Sequence, residues 1–140
     1  MASLDRILSG GLISPPKKEN VVAHWISALG VKIGKPEDPI RTLSGGNQQR
    51  VAIAKWLAIG PKILILDAPT VGVDVGARAG IFEIVRKLAA EGLSIILISD
   101  EPPEVYFNAD RIIHMAEGRI KATYDPRQMS LTDLEGKVYA

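Results

Sequence analysis

The chain has 140 residues, the length of about one small domain. Its 17 Lys and Arg against 16 Asp and Glu leave a net charge of +1, so neither a nucleic-acid partner nor an anionic membrane surface is favoured. There is no cysteine, which excludes thiolate catalysis, disulfides and zinc–thiolate centres. No apolar run approaches the roughly 20 residues needed to cross a bilayer. The start, Met1-Ala2-Ser3-Leu4-Asp5-Arg6, lacks the basic and apolar regions of a secretory signal, so the chain reads as intracellular.

Residues 1–16 are weakly patterned and end in Ser14-Pro15-Pro16, read as a breaker. From Lys17 to Leu29, Val21, Val22, Trp25, Ile26 and Leu29 recur at helical spacing, which predicts an amphipathic helix closed by Gly30. Residues 31–42 carry Gly34, Pro36 and Pro39 and read as a loop. Ser44 is a candidate N-cap for a helix to about Ile59, stopped by Gly60-Pro61. Ile63-Leu64-Ile65-Leu66 before Asp67 predicts a strand buried on both faces. After a loop over 68–76, Ala77 to Ala90 predicts a third helix.

Ser94 to Ser99 is expected to form a second buried strand and Arg111 to Met115 a third. Arg119 to Tyr124 completes a hairpin, and the tail reads as a short helix. The alternation of strands with helices of this length implies an α/β class with a small parallel sheet.

Two clusters carry chemistry. In Leu43-Ser44-Gly45-Gly46-Asn47-Gln48-Gln49-Arg50, a glycine pair opens a helix beside a hydroxyl. Free N–H donors and the helix dipole there suit a phosphate, and glycines allow it to approach the backbone. A plain helix cap followed by a glycine turn is the competing reading. In the second cluster, Asp67 ends an apolar strand, where α/β proteins bind ligands and where a carboxylate suits Mg²⁺. An Asp merely opening a loop is the alternative there. His24 and His114 have no second His at ligand spacing, and Trp25, Trp56, Tyr106 and Phe107 read as packing or interface residues.

Together these pieces resemble the second half of an ABC-type ATPase domain. Leu43 to Gln49 looks like the signature motif, Ile63 to Asp67 like a Walker B strand, and Val71-Gly72-Val73-Asp74 like the D-loop. The wording GGNQQ followed by GVDVGA at Gly72 to Ala77 is most similar to the C-terminal ATPase domain of tandem importers for ribose, galactose and related sugars. Glu104-Val105, Asp110 to Ile113 and the hairpin Ala116 to Arg119 continue the match.

The resemblance implies a truncated P-loop-type three-layer α/β domain. Residues 1–42 would be the remnant of a helical subdomain, 43–125 the signature helix and half of the core, and 126–140 a tail. It implies ATP and Mg²⁺ as cofactors, with Ser44, Gly45, Gly46 and Gln48 touching nucleotide, Asp67 facing Mg²⁺ and Asp74 at a dimer seam. It also implies a second ATP-binding domain and a transmembrane permease as partners, no nucleic acid, and a peripheral place at the inner face of the cell membrane.

Three departures from the family pattern leave enzyme activity open. No G-x-x-x-x-G-K-[ST] loop is present; in Gly30-Val31-Lys32-Ile33-Gly34-Lys35-Pro36 the glycines stand too close together. Ala68 stands where the family usually has a Glu that polarises water, and Asp100 where it commonly has His. Losing a general base costs about 10²–10⁴ in rate. A truncated, non-catalytic partner of an intact ATPase is therefore the second reading. A soluble ABC ATPase acting on DNA or ribosomes is the third, disfavoured by the near-neutral charge.

Overall fold

The computed structural model describes residues 4–139. The helices are α1 (Leu4–Ile7), α2 (Pro15–Ala28), α3 (Gly45–Leu57), α4 (Val75–Ala90), α5 (Pro102–Asn108) and α6 (Leu131–Val138). The strands are β1 (Leu8–Ser9), β2 (Leu12–Ile13), β3 (Ile63–Asp67), β4 (Ser94–Ile98), β5 (Ile112–Ala116) and β6 (Arg119–Tyr124). The described residues divide into two compact units. One runs through Leu64 and adds Thr70–Ser94; the other joins Ile65–Pro69 to the residues from Ile95 onward.

In the first unit, Gly10 and Gly11 take φ of 58° and 81°, the turn that closes the β1–β2 hairpin. The weakly patterned start therefore holds a hairpin that the Gly-Gly pair signalled. Ser14-Pro15-Pro16 begins a helix and does not break one. Proline tolerates the first helical turn, whose N–H groups have no intrahelical acceptor, and Pro15 opens α2. At its other end Gly30, at φ 59°, lets Val31 N–H reach Ile26 O at 2.9 Å and Gly30 N–H reach Ser27 O at 3.2 Å. That pair of bonds is a Schellman cap. The core of this unit is built on α4, whose Ile81, Phe82, Ile84, Val85 and Leu88 form one buried stripe, with Ile53 and Leu57 of α3.

Strands β3 and β4 form a two-stranded sheet. Ser94 N–H donates to Lys62 O at one end and Ala68 N–H to Ile98 O at the other, so the strands run parallel. The expected burial on both faces is not observed. Leu64 and Leu66 are buried, but Ile63 and Ile65 are 58% and 60% exposed, and Ile96 and Ile98 are also open. Alternate side chains of a strand point to opposite faces, and the described residues cover only one of them.

The third expected strand does not extend this sheet. In the second unit β5 pairs antiparallel with β6 alone, through a Glu117-Gly118 turn in which both residues have positive φ. Pro69, Ile112 and Leu134 are among the buried residues there. The α/β class holds, with the parallel part limited to β3 and β4.

Candidate functional site

Helix α3 starts at Gly45 with Ser44 as its N-cap residue, in extended backbone at φ −62° and ψ 155°. An N-cap serine usually accepts a bond from the first turn of its own helix. Ser44 makes no such bond, and it is exposed. Asn47 Nδ2 donates to Ser44 Oγ at 3.0 Å instead.

Gly45 and Gly46 are explained first by packing. A β-carbon on Gly45 would stand 2.8 Å from Gly72 O, and one on Gly46 would stand 2.7 Å from Ala77 Cβ. Only hydrogen in place of a side chain lets the 70–77 segment lie this close to α3. Gly45 is exposed, like Ser44, while Gly46 is buried. The Gln48 side chain turns back, Nε2 donating to Leu43 O at 2.8 Å.

Asp74 is the N-cap of α4. Its Oδ1 accepts from Ala77 N–H at 3.0 Å, which starts the helix at Val75, two residues before the expected position. Arg78 Nε donates to Val73 O at 3.3 Å from the same turn. The signature-like and D-loop-like segments are thus one packed feature, an exposed serine at a helix mouth braced by a capped loop.

Two residues of the same cluster, given no contact to nucleotide by the resemblance, brace it. Asn47 also accepts the Lys32 N–H at 2.8 Å, tying residues 31–34 to the start of α3. Arg50 Nη1 donates to Leu29 O at 2.7 Å and Gly30 O at 3.1 Å, placing a cation on the carbonyl end of α2. Its guanidinium also occupies the space a side chain at Gly80 would need. Spacing along the chain carried no signal for these long-range contacts.

In the second unit, the end of β3 presents Asp67, exposed, followed by Ala68 at φ 44°. A non-glycine residue in the left-handed region stores backbone strain and marks a place worth attention. Asp100 is exposed just past the end of β4. The segment after β4 is anchored by Ser99, whose hydroxyl donates to Glu104 Oε2 at 2.6 Å and accepts from Glu101 N–H at 3.1 Å. Glu104 is 8% exposed. No described group of three His, Cys, Asp or Glu side chains is arranged to hold a metal ion.

The aromatic residues are mixed. Tyr106 OH donates to Met129 O at 2.9 Å, and Trp25 sits edge-on to His24. Phe107 is exposed with its ring edge-on to Tyr106, and Trp56 is exposed with the Lys55 ammonium 4.9 Å from its ring. No described helix is long and apolar enough to cross a membrane.

Residues 4–71 match the family model described as ABC transporter. The ribose import ATP-binding protein RbsA of Geobacillus kaustophilus is 46% identical over 122 residues, covering 87% of this chain and 25% of the relative. The protein of that name from Bacillus subtilis is 48% identical over 118 residues, covering 84% of this chain and 24% of the relative. The chain thus spans about a quarter of the length of the curated relatives it matches. Among solved structures, a bacterial ABC transporter cassette determined as a dimer superposes with a TM-score of 0.71 at 26% identity. That match covers 85% of this chain and 51% of the cassette, which has also been solved in a post-hydrolysis state bound to ADP and Pi.

Proposed function

We propose, from the premise that this chain belongs to the ABC transporter family in its sugar-import ATP-binding branch, that it offers the signature end of an ATPase domain to a nucleotide held elsewhere. The nucleotide would be bound by a second ATP-binding domain carrying its own P-loop. The observation that carries this reading is the exposed Ser44–Gly45 mouth of α3, braced against Gly72 and the Asp74 cap.

The residues present fit a phosphate at that mouth. Ser44 supplies a hydroxyl, and the start of α3 supplies outward N–H groups and the positive end of a helix dipole. Gly45 keeps the approach free of a side chain. Gly46 and Gln48 act one step back, as the packing glycine and as the brace to Leu43. Asp74 starts α4 and so holds the 70–77 loop that Gly45 rests on.

Asp67 is the chain's candidate for Mg²⁺. A single exposed carboxylate suits an ion that keeps most of its waters and phosphate oxygens, and Asp67 would face it only beside a P-loop that other residues supply. When bound, Mg²⁺ would neutralise phosphate charge. Ala68 provides no carboxylate to polarise a water, so a nucleotide beside Asp67 would find no general base at that position. The same observation favours the second reading, a non-hydrolysing partner of an intact ATPase.

In the assembled transporter, a permease in the membrane would receive the motion of closure, at the inner face of the cell membrane, and the cargo would be a sugar of the ribose class. The test is sedimentation velocity of the whole chain mixed with an intact ribose-import-type ATP-binding domain whose hydrolysis is blocked. MgATP is expected to promote a one-to-one complex, and Ser44→Arg to abolish it. Association that ignores MgATP, or that survives Ser44→Arg, overturns the reading.

A further inference from the structure

Asn47 is the third residue of α3, and its side chain bridges two backbone segments. Lys32 N–H donates to its Oδ1 at 2.8 Å, while its Nδ2 donates to Ser44 Oγ at 3.0 Å. The first bond decides the second. A backbone N–H only donates, so the amide atom facing Lys32 has to be the oxygen, and the atom facing Ser44 has to be the NH₂ group. An amide NH₂ also only donates. Ser44 Oγ is therefore the acceptor in this pair, and its single proton is not used there.

Another serine at a helix start in this chain is arranged the opposite way. Ser130 Oγ accepts from Asp133 N–H at 3.1 Å and gives its proton to Asp133 Oδ2 at 2.6 Å. That hydroxyl is consumed inside the chain. The Ser44 hydroxyl accepts from a side chain, does not cap α3, and stands exposed. A hydroxyl that accepts a bond is also polarised towards donating its own.

We infer that Asn47 is a positioning residue: clamped by the Lys32 N–H, it donates to Ser44 Oγ and so reserves the Ser44 proton for an outside acceptor, a phosphate oxygen of the nucleotide on the partner domain. This inference rests on the pairing proposed above. It makes the 31–34 segment part of the site without contact to nucleotide.

The discriminating variant is Asn47→Asp, which keeps the shape. A carboxylate still accepts from Lys32 N–H but can only accept from Ser44, which turns the hydroxyl proton inward. MgATP-dependent pairing, measured by sedimentation velocity, is expected to weaken about tenfold or more, the loss of a hydrogen bond to a charged group. Thermal unfolding of the free chain should change little. The added negative charge also repels phosphate, and a double-mutant cycle with Ser44→Ala separates the two effects. Repulsion persists without the hydroxyl, whereas orientation does not, so Asn47→Asp should cost much less in the Ser44→Ala background.

Equal cost in both backgrounds, or undiminished pairing by Asn47→Asp, overturns the role of Asn47 while leaving the pairing intact. Absence of MgATP-dependent pairing by the unaltered chain overturns the pairing and the phosphate role together. A readout without nucleotide is the backbone amide of Lys32 in ¹⁵N spectra of the free chain. Its resonance should stay near its wild-type position in Asn47→Asp and move in Asn47→Ala; an unmoved resonance in Asn47→Ala removes the clamp and the inference with it.

Discussion

Gly46 of α3 lies so close to Ala77 of α4 that a β-carbon built on it would stand 2.7 Å from the Ala77 methyl carbon. The two helices start almost in contact, and this closeness sets the loop between Thr70 and Asp74 beside the exposed Ser44.

Gly46→Ala should therefore destabilise the chain by about 1–3 kcal/mol, the usual cost of overpacking. Ala77→Gly should restore part of that loss in the double variant, less about 1 kcal/mol for a glycine within a helix. Urea unfolding of the four chains decides it. Additive effects would mean that the two residues do not press on each other.

Ala68 has φ 44°, a conformation that costs an alanine of order 1–2 kcal/mol and a glycine almost nothing. Ala68→Gly should raise stability by up to about 1 kcal/mol, because glycine also adds freedom to the unfolded chain. Ala68→Val should lower it by more, since a β-branched residue tolerates this region worst. Thermal unfolding that ranks Val above Gly would refute the strained turn.

The Ser99 hydroxyl is the short donor to the buried Glu104 carboxylate. Hydrogen bonds to charged groups contribute about 1.5–3 kcal/mol, and Ser99→Ala should lose that much on denaturant unfolding. The backbone at Glu101 loses its acceptor too, so its amide should exchange faster with solvent. Unchanged exchange at Glu101 would show that the segment after β4 is held some other way.

Helix α6 begins with a reciprocal box: Ser130 N–H and Oγ both donate to Asp133 Oδ2, and Asp133 N–H donates to Ser130 Oγ. These bonds from Ser130 hold the Asp133 carboxyl below the usual carboxylate range. A group whose folded value is depressed stabilises the fold above its unfolded value, and that contribution is lost as pH falls through the folded one. The start of α6 should thus loosen in acid below about pH 4, and Asp133→Asn should remove the dependence. Exchange of the Asp133 amide between pH 5 and pH 2 measures it, and an amide equally protected across that range would refute the box.

The segments that make up the candidate site were legible as local structure because their signals are local. A serine before two glycines and a helix, an aspartate ending an apolar run, and Val71 to Asp74 are contiguous strings whose backbone preferences follow from residue type. Gly30 read correctly as a helix stop for the same reason, through the positive φ that glycine adopts freely. Local signals misread Ser14-Pro15-Pro16, where proline's missing N–H suits the first helical turn as well as a break.

What lies across from a residue is a different kind of information. The amino-acid sequence by itself determined the α/β class, the places of α3, α4, β3 and β4, and the family resemblance, all of which rest on short-range pattern. Tertiary structure alone decided that Ile65 and Ile96 stand open, that Gly46 answers to Ala77, and that Lys32 fixes Asn47. Burial and hydrogen-bond partnership depend on which distant segments the chain path brings together, and local periodicity contains no measure of that distance.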